Sequence, residues 1–213
     1  MTYIYLIELI CIFLGIYLGI LKNKKFTSSK LKFWYSLSFS FIFISFLMRL
    51  YMFLVPKIQY LYLFKHIYYL NYIGFFMGSL ISTFIFLRSN KLKFNYIKYI
   101  LLIGCIAYAM YIFVNSIDII LCGSYGYFMM FENKYYFMIF EFIFNAIMLF
   151  LGIYIISNRF KDKLGGVLVL FTTTLGIISL ILQKDNLSII MNTITQLMWI
   201  VTMNYSIITF KKN

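Results

Sequence analysis

Acidic residues, histidine, proline and alanine are all scarce in this chain of 213 residues. It carries six Asp and Glu, one histidine (His66), one proline (Pro56) and three cysteines. Each shortage removes a class of function. Zinc and haem centres need clustered His and Cys, and the sequence has no CxxC and no HExxH. A disulfide framework is not expected, since Cys11 and Cys105 sit inside apolar runs, where a thiol acts as a small packing residue. No metal and no cofactor is therefore expected. A nucleophile elbow is absent too, because the run Gly123-Ser124-Tyr125-Gly126 has the wrong spacing and no His or Asp partner. No Gly-rich phosphate loop occurs, and no Ser/Gly/Pro-rich linker divides the chain, which reads as one domain over 1–213.

Charged residues are also few, 12% against about 25% in an ordinary globular domain. Apolar and aromatic residues make up 63%, and mean hydropathy is +0.91. A soluble protein of this length has too little interior to hide so much apolar surface. Disorder is excluded by the same figure, because disordered chains are poor in apolar residues. An integral membrane protein remains, all-α because the apolar runs are continuous rather than alternating with period two. Phe and Tyr number 25 and 20, while Ala occurs only at 107, 109 and 146. That balance fits an AT-rich bacterial genome, so aromatic richness alone points to no ligand.

A helix needs about 20 apolar residues to cross a bilayer core. Seven runs meet this, at 3–21, 33–55, 67–87, 99–117, 135–157, 164–182 and 188–210. The first is not expected to be a cleaved signal, because Met1-Thr2-Tyr3 lacks a positive start. The net charge of +13 reads as orientation rather than nucleic-acid binding, since no basic stripe lies on a polar helix. Fourteen positive residues share one side: Lys22, Lys24, Lys25, Lys30, Lys32, Arg88, Lys91, Lys93, Lys98, Arg159, Lys161, Lys163, Lys211 and Lys212. Five share the other: Arg49, Lys57, Lys65, Lys134 and Lys184. The richer side is expected to be cytoplasmic, giving a seven-helix bundle in the cytoplasmic membrane, N-terminus outside and C-terminus inside.

Small residues four apart let membrane helices approach closely. Gly15 and Gly19 form one such pair. Gly74 and Gly78 form another, continued by Ser82. They are read as bundle-packing faces, with a homodimer as the alternative use. Ser36, Ser38, Ser40, Ser45 and Thr172–Thr174 are read as back-bonding to their own helix carbonyls.

Ionisable groups within spans are the sharpest functional pointers in such a chain. Glu8, Arg49 and Glu141 are the three, each about 8–9 Å inside the outer boundary at 1.5 Å per residue. A Glu8–Arg49 or Arg49–Glu141 pair is the economical arrangement. Asn145 lies one turn from Glu141, and Asn192 and Gln196 share a face of the last span. These six form the candidate ligand-binding set in the outer half of the bundle. A structural ion pair with no ligand is the plainer alternative. A proton relay is disfavoured, because no inner-half span holds Asp or Glu. The segment 118–134 reads as an interfacial aromatic loop, with a lid or re-entrant stretch as the alternative.

The stretch Phe64 to Arg88 carries Tyr69-Leu70-Asn71-Tyr72-Ile73-Gly74, then an apolar run ending Phe86-Leu87-Arg88. With seven spans and an outer N-terminus, it resembles the seven-helix N-terminal membrane region of bacterial sensor histidine kinases. The third span departs from that pattern in lacking a proline, and no attached kinase domain is expected. The resemblance implies signal sensing at the membrane, with output passed to a separate cytoplasmic partner. It carries over no functional residues. The expected function is thus a non-enzymatic, receptor-like or regulatory membrane protein. A small transporter or transporter subunit is the alternative, and a membrane-embedded enzyme stands last because acid and base groups are so few.

Overall fold

A computed structural model describes residues 2–54, 61–87, 94–121, 126–158, 162–182 and 186–211. Apart from one hairpin the described chain is helical. Helices α1 (Thr2–Phe26) and α2 (Ser29–Leu54) come first, then a 3-10 turn (Leu61–Phe64) leading into α3 (Lys65–Tyr68) and α4 (Leu70–Leu87). Helix α5 (Phe94–Val114) is followed by strands β1 (Ile117–Leu121) and β2 (Tyr127–Phe131), then α6 (Lys134–Ser157), α7 (Lys163–Ile181) and α8 (Asn186–Lys211). Six helical stretches are long and apolar enough to cross a membrane: those of α1, α2, α5, α6 and α7, and Lys65–Leu87 taken as one. The chain reads as a multi-pass membrane protein. Its outer faces agree, since Ile103, Ile106, Phe113, Ile147, Phe150 and Phe171 each expose about half or more of their area.

The last helix is the exception, and its composition explains its place. It carries Asn192, Thr193, Thr195, Gln196, Thr202, Asn204 and Ser206, so it falls outside the strongly apolar set expected of seven spans. Polar side chains are tolerated at membrane depth when they face other helices. Accordingly α8 packs against α1, α4 and α7, with Thr202, Met203 and Ser206 buried. Helix α4 is the second central element, touching α2, α5, α6, α7 and α8. Helix α5 rests chiefly on α4, and α6 on α7.

Close approach is built on the small residues. A Cβ on Gly15 would lie 2.8 Å from Ile200, and one on Gly19 2.4 Å from the Phe39 ring. On α4, a Cβ at Gly74 would meet Ile42 at 2.6 Å and the Ser38 carbonyl at 2.8 Å, and one at Gly78 would meet Met203 at 2.3 Å. All four glycines therefore face this chain's own helices. Ser82 joins Tyr35 (3.1 Å) and Ser206 (3.1 Å), with Tyr35 and Ser206 2.6 Å apart, tying α4, α2 and α8 together. The serines of α2 depart from the back-bonding reading. Ser38 donates to the Gly74 carbonyl at 2.7 Å and Ser45 to the Tyr68 carbonyl at 2.5 Å. Both bonds cross between helices: Ser38 reaches α4 where Gly74 allows close approach, and Ser45 reaches the carbonyl at the end of α3. Thr172, Thr173 and Thr174 do bond backward within α7.

Two connections differ from expectation. The first cluster of lysines is expected in a loop, but α1 continues through Lys22, Lys24 and Lys25 and turns at Thr27-Ser28. Fully buried Asn23 makes this possible by donating to the Lys32 carbonyl (2.9 Å) and Ser36 Oγ (3.0 Å), while Thr27 donates back to it. The fourth span, placed at 99–117, instead begins at Phe94 and stops at Val114. The following segment is no irregular loop. It pairs as an antiparallel hairpin from Ile117↔Phe131 to Leu121↔Tyr127. β-Branched and aromatic residues favour that form, and pairing satisfies backbone groups close to lipid. Gly126, at φ 81°, seats the returning strand against α2, where a Cβ would lie 2.8 Å from Phe53 Cα. The readings at Pro56, Lys57, Arg88, Lys91, Lys93, Cys122, Gly123, Ser124, Arg159, Lys161, Lys184 and Lys212 lie outside the described residues.

Gly74→Ala is expected to lower stability by about 1–3 kcal/mol, because the new methyl meets backbone as well as Ile42. Thermal unfolding of the purified protein in detergent measures this, and an unchanged midpoint would refute the close α2–α4 contact.

Candidate functional site

Arg49 lies near the end of α2, one and a half turns before Leu54, and only 6% of it is exposed. A charge held there needs partners inside the bundle. Its Nη1 donates to Gln196 Oε1 at 2.9 Å. The guanidinium also lies over two rings, 4.8 Å from Phe46 and 5.1 Å from Tyr68. Such cation–π contacts offset part of the lost hydration. Its Nε is buried and has no hydrogen-bond partner. The expected carboxylate pair is thus replaced by an amide, because α8, rather than α1 or α6, presents its polar face to Arg49.

Helix periodicity extends the contact. Gln196 Nε2 donates to Asn192 Oδ1, one turn away, at 3.2 Å. Asn192, Tyr72 of α4 and Glu141 of α6 line a common space. A hydrogen-bonded path therefore runs Arg49, Gln196, Asn192 from α2 into α8, with Tyr72 and Glu141 facing the same space. Asn145, one turn beyond Glu141, donates to the Glu141 carbonyl at 2.9 Å, and its buried Oδ1 is unpartnered.

Two cavities flank this path. One lies beneath the hairpin, lined by Arg49, Tyr68, Glu141 and Asn192, with Met129 and Phe131 of β2 and Lys134 of α6. The other lies between α4, α5, α6, α7 and α8, lined by Phe76, Phe144 and Trp199 with Asn145 and Gln196. Tyr72, Glu141, Ser179, Leu180 and Asn192 line both, so the two adjoin. Five of the six candidate residues thus surround one composite space. Glu8 does not. It is half-buried on α1, lines neither cavity, and one of its oxygens is buried without a partner.

The hairpin is fastened over the first cavity by aromatic contacts. Tyr69 stacks on Phe131 with centroids 4.3 Å apart and donates its hydroxyl to the Met129 carbonyl at 3.0 Å. Tyr5 packs on Phe128 at 5.9 Å. Tyr69 is itself the break between α3 and α4, and the break is made good by side chains. Ser45 satisfies the Tyr68 carbonyl, and Tyr108 donates to the Tyr69 carbonyl at 3.3 Å. Lys65 donates to the Asn115 carbonyl, and Ser116 to the Glu132 carboxylate, anchoring the segment that leads into the hairpin.

Tyr68, Tyr69 and Tyr72 were not among the candidate residues. Three tyrosines within five positions, next to Lys65 and His66, are the available signal, but 20 tyrosines in the chain drown it. His66 itself stays exposed and packs on Phe113 at 4.4 Å. Among the described residues no three His, Cys, Asp or Glu side chains gather as metal ligands would. Chemically the site offers a cation with an unpaired Nε, a carboxylate, amides and aromatic faces. Comparison with protein-family models, curated proteins and solved structures finds no match for the chain.

Gln196→Leu removes the side chain that, among the described residues, hydrogen-bonds Arg49, and is expected to destabilise the protein by about 3 kcal/mol. The double change Arg49→Met with Gln196→Leu should recover much of that loss. Thermal midpoints of the three proteins in detergent decide it, and a double variant no better than the single would contradict the pairing.

Proposed function

We propose that the protein is a receptor-like or regulatory membrane protein that binds a ligand in the cavity beneath the hairpin. The observation that carries this reading is Arg49, held 94% buried at a cavity wall with Glu141 and Asn192 beside it and an N–H left unpaired. A structural ion pair would have consumed those donors within the protein. Helix α8 is enclosed by α1, α4 and α7, so if these cross the membrane α8 crosses with them, giving seven spans. Fourteen positive residues against five then orient the bundle with the hairpin and cavity outward and the C-terminus in the cytoplasm. The membrane is the cytoplasmic membrane of a bacterium, and a bound ligand is reported to a separate cytoplasmic partner through α8, which carries Asn192 and Gln196 and ends at Lys211.

The test is accessibility. With Cys11, Cys105 and Cys122 changed to Ser, Asn192→Cys should react in intact cells with a membrane-impermeant thiol reagent. Ser206→Cys, fully buried towards the other end of α8, should not. Labelling of Asn192→Cys only after the cells are opened would overturn both the orientation and the outward cavity.

A further inference from the structure

We propose that the two adjoining cavities form one site for a single-chain amphiphile with an anionic head. The head sits against Arg49 and Lys134, and the chain lies among Phe76, Phe144 and Trp199. This rests on reading the polar cavity as a ligand site and goes on to name the ligand class.

Four observations support it. The two ends differ: the cations Arg49 and Lys134 line only the cavity under the hairpin, whereas Phe76, Phe144 and Trp199 line only the deeper one, beside Asn145 and Gln196. An amphiphile matches that division, and a small polar solute would leave the aromatic chamber empty. The charge is also biased, with two cations and one carboxylate around the upper cavity. Arg49 donates to Gln196 through Nη1 and keeps a buried Nε unpaired. A carboxylate or phosphate oxygen is the natural acceptor for such a guanidinium. Helix α4 begins at Leu70, between the cavity residues Tyr69 and Tyr72, so its positive end adds to the same field.

The fourth observation is a thinly packed seam between α5 and α6. Helix α5 rests chiefly on α4 and barely meets α6. The two are bridged by rings, with Tyr108 6.2 Å from Phe140 and Tyr111 6.3 Å from Phe137. One turn further along, Gly104 and Cys105 line the deep chamber, Gly104 lying against the Phe76 ring, which a Cβ would meet at 2.5 Å. A chain already dissolved in the bilayer reaches the aromatic chamber through this seam without crossing water.

Thermal unfolding of the full chain in nanodiscs of zwitterionic lipid tests the proposal, with palmitate, hexadecyl phosphate, hexadecanol and butyrate as probes. Palmitate or hexadecyl phosphate should raise Tm by about 5 °C when present at about a hundred times its Kd. The stronger of the two identifies the head. Hexadecanol and butyrate should do little. An equal rise with hexadecanol overturns the role of charge. An equal rise with butyrate overturns the chain while leaving the polar cavity a ligand site. No rise with any probe overturns the proposal, and the Asn192→Cys labelling then reports separately on the cavity. Arg49→Gln should abolish the palmitate rise. Should that variant fold poorly, Cys105→Trp fills the chain chamber from α5, and a palmitate rise that survives it refutes the assignment.

Discussion

A polar atom carried into hydrocarbon must find its partner within the protein, and in this chain that requirement decides which helix sits where. Helix α8 holds the densest set of amides and hydroxyls, so it is enclosed by α1, α4 and α7. From there Gln196 reaches Arg49, Asn204 donates to the Gly15 carbonyl at 3.0 Å, and Ser206 meets Tyr35. These contacts need backbones close together. The glycines at 15, 74 and 78 permit that closeness by presenting no Cβ to Ile200, Ile42 and Met203. Polar pairing and small-residue packing are thus one device: the first chooses the neighbours and the second brings them within reach.

The same requirement explains the broken third span. A helix interrupted at Tyr69 frees carbonyls that lipid cannot satisfy. Ser45 of α2 and Tyr108 of α5 supply donors, and the tyrosine at the break turns its own hydroxyl to the hairpin. The interruption therefore opens space beside α4 without leaving those carbonyls bare, and the cavity under β2 occupies it. Strand pairing does for the backbones of 117–121 and 127–131 what helical bonds do elsewhere.

Much of the fold was legible because the apolar runs are long and nearly free of charge. The spans read at 135–157 and 164–182 lie within one residue of α6 and α7. Errors fell where hydropathy and backbone conformation part company. Lysines at 22, 24 and 25 lower hydropathy but are good helix formers, so α1 runs on past them. Residues 117–121 are as apolar as a helix end yet β-branched, and they pair as a strand. The i,i+4 spacing of Asn192 and Gln196, and of Glu141 and Asn145, placed each pair on one face correctly, since a straight helix leaves no choice. Which helix that face would meet is a matter of tertiary packing, so the partner of Arg49 was misread as a carboxylate.

Glu8 shows the limit of a depth argument. Three charges at one level share a height, but helix rotation about its own axis decides whether they share a site. On α1, Tyr5, Leu9, Ile12 and Ile16 form the buried stripe, at spacings of four, three and four. Glu8 lies one position from Leu9 and therefore at the edge of that stripe, half-buried with one unpaired oxygen. Arg49 falls on the stripe of α2 that includes Ile42, Ser45 and Phe46, and so points inward. The inward cation is the one caged by rings and joined to α8, and the edge carboxylate is left outside the cavity. A rotation of about 100° per residue thus separates two charges that hydropathy alone treats alike.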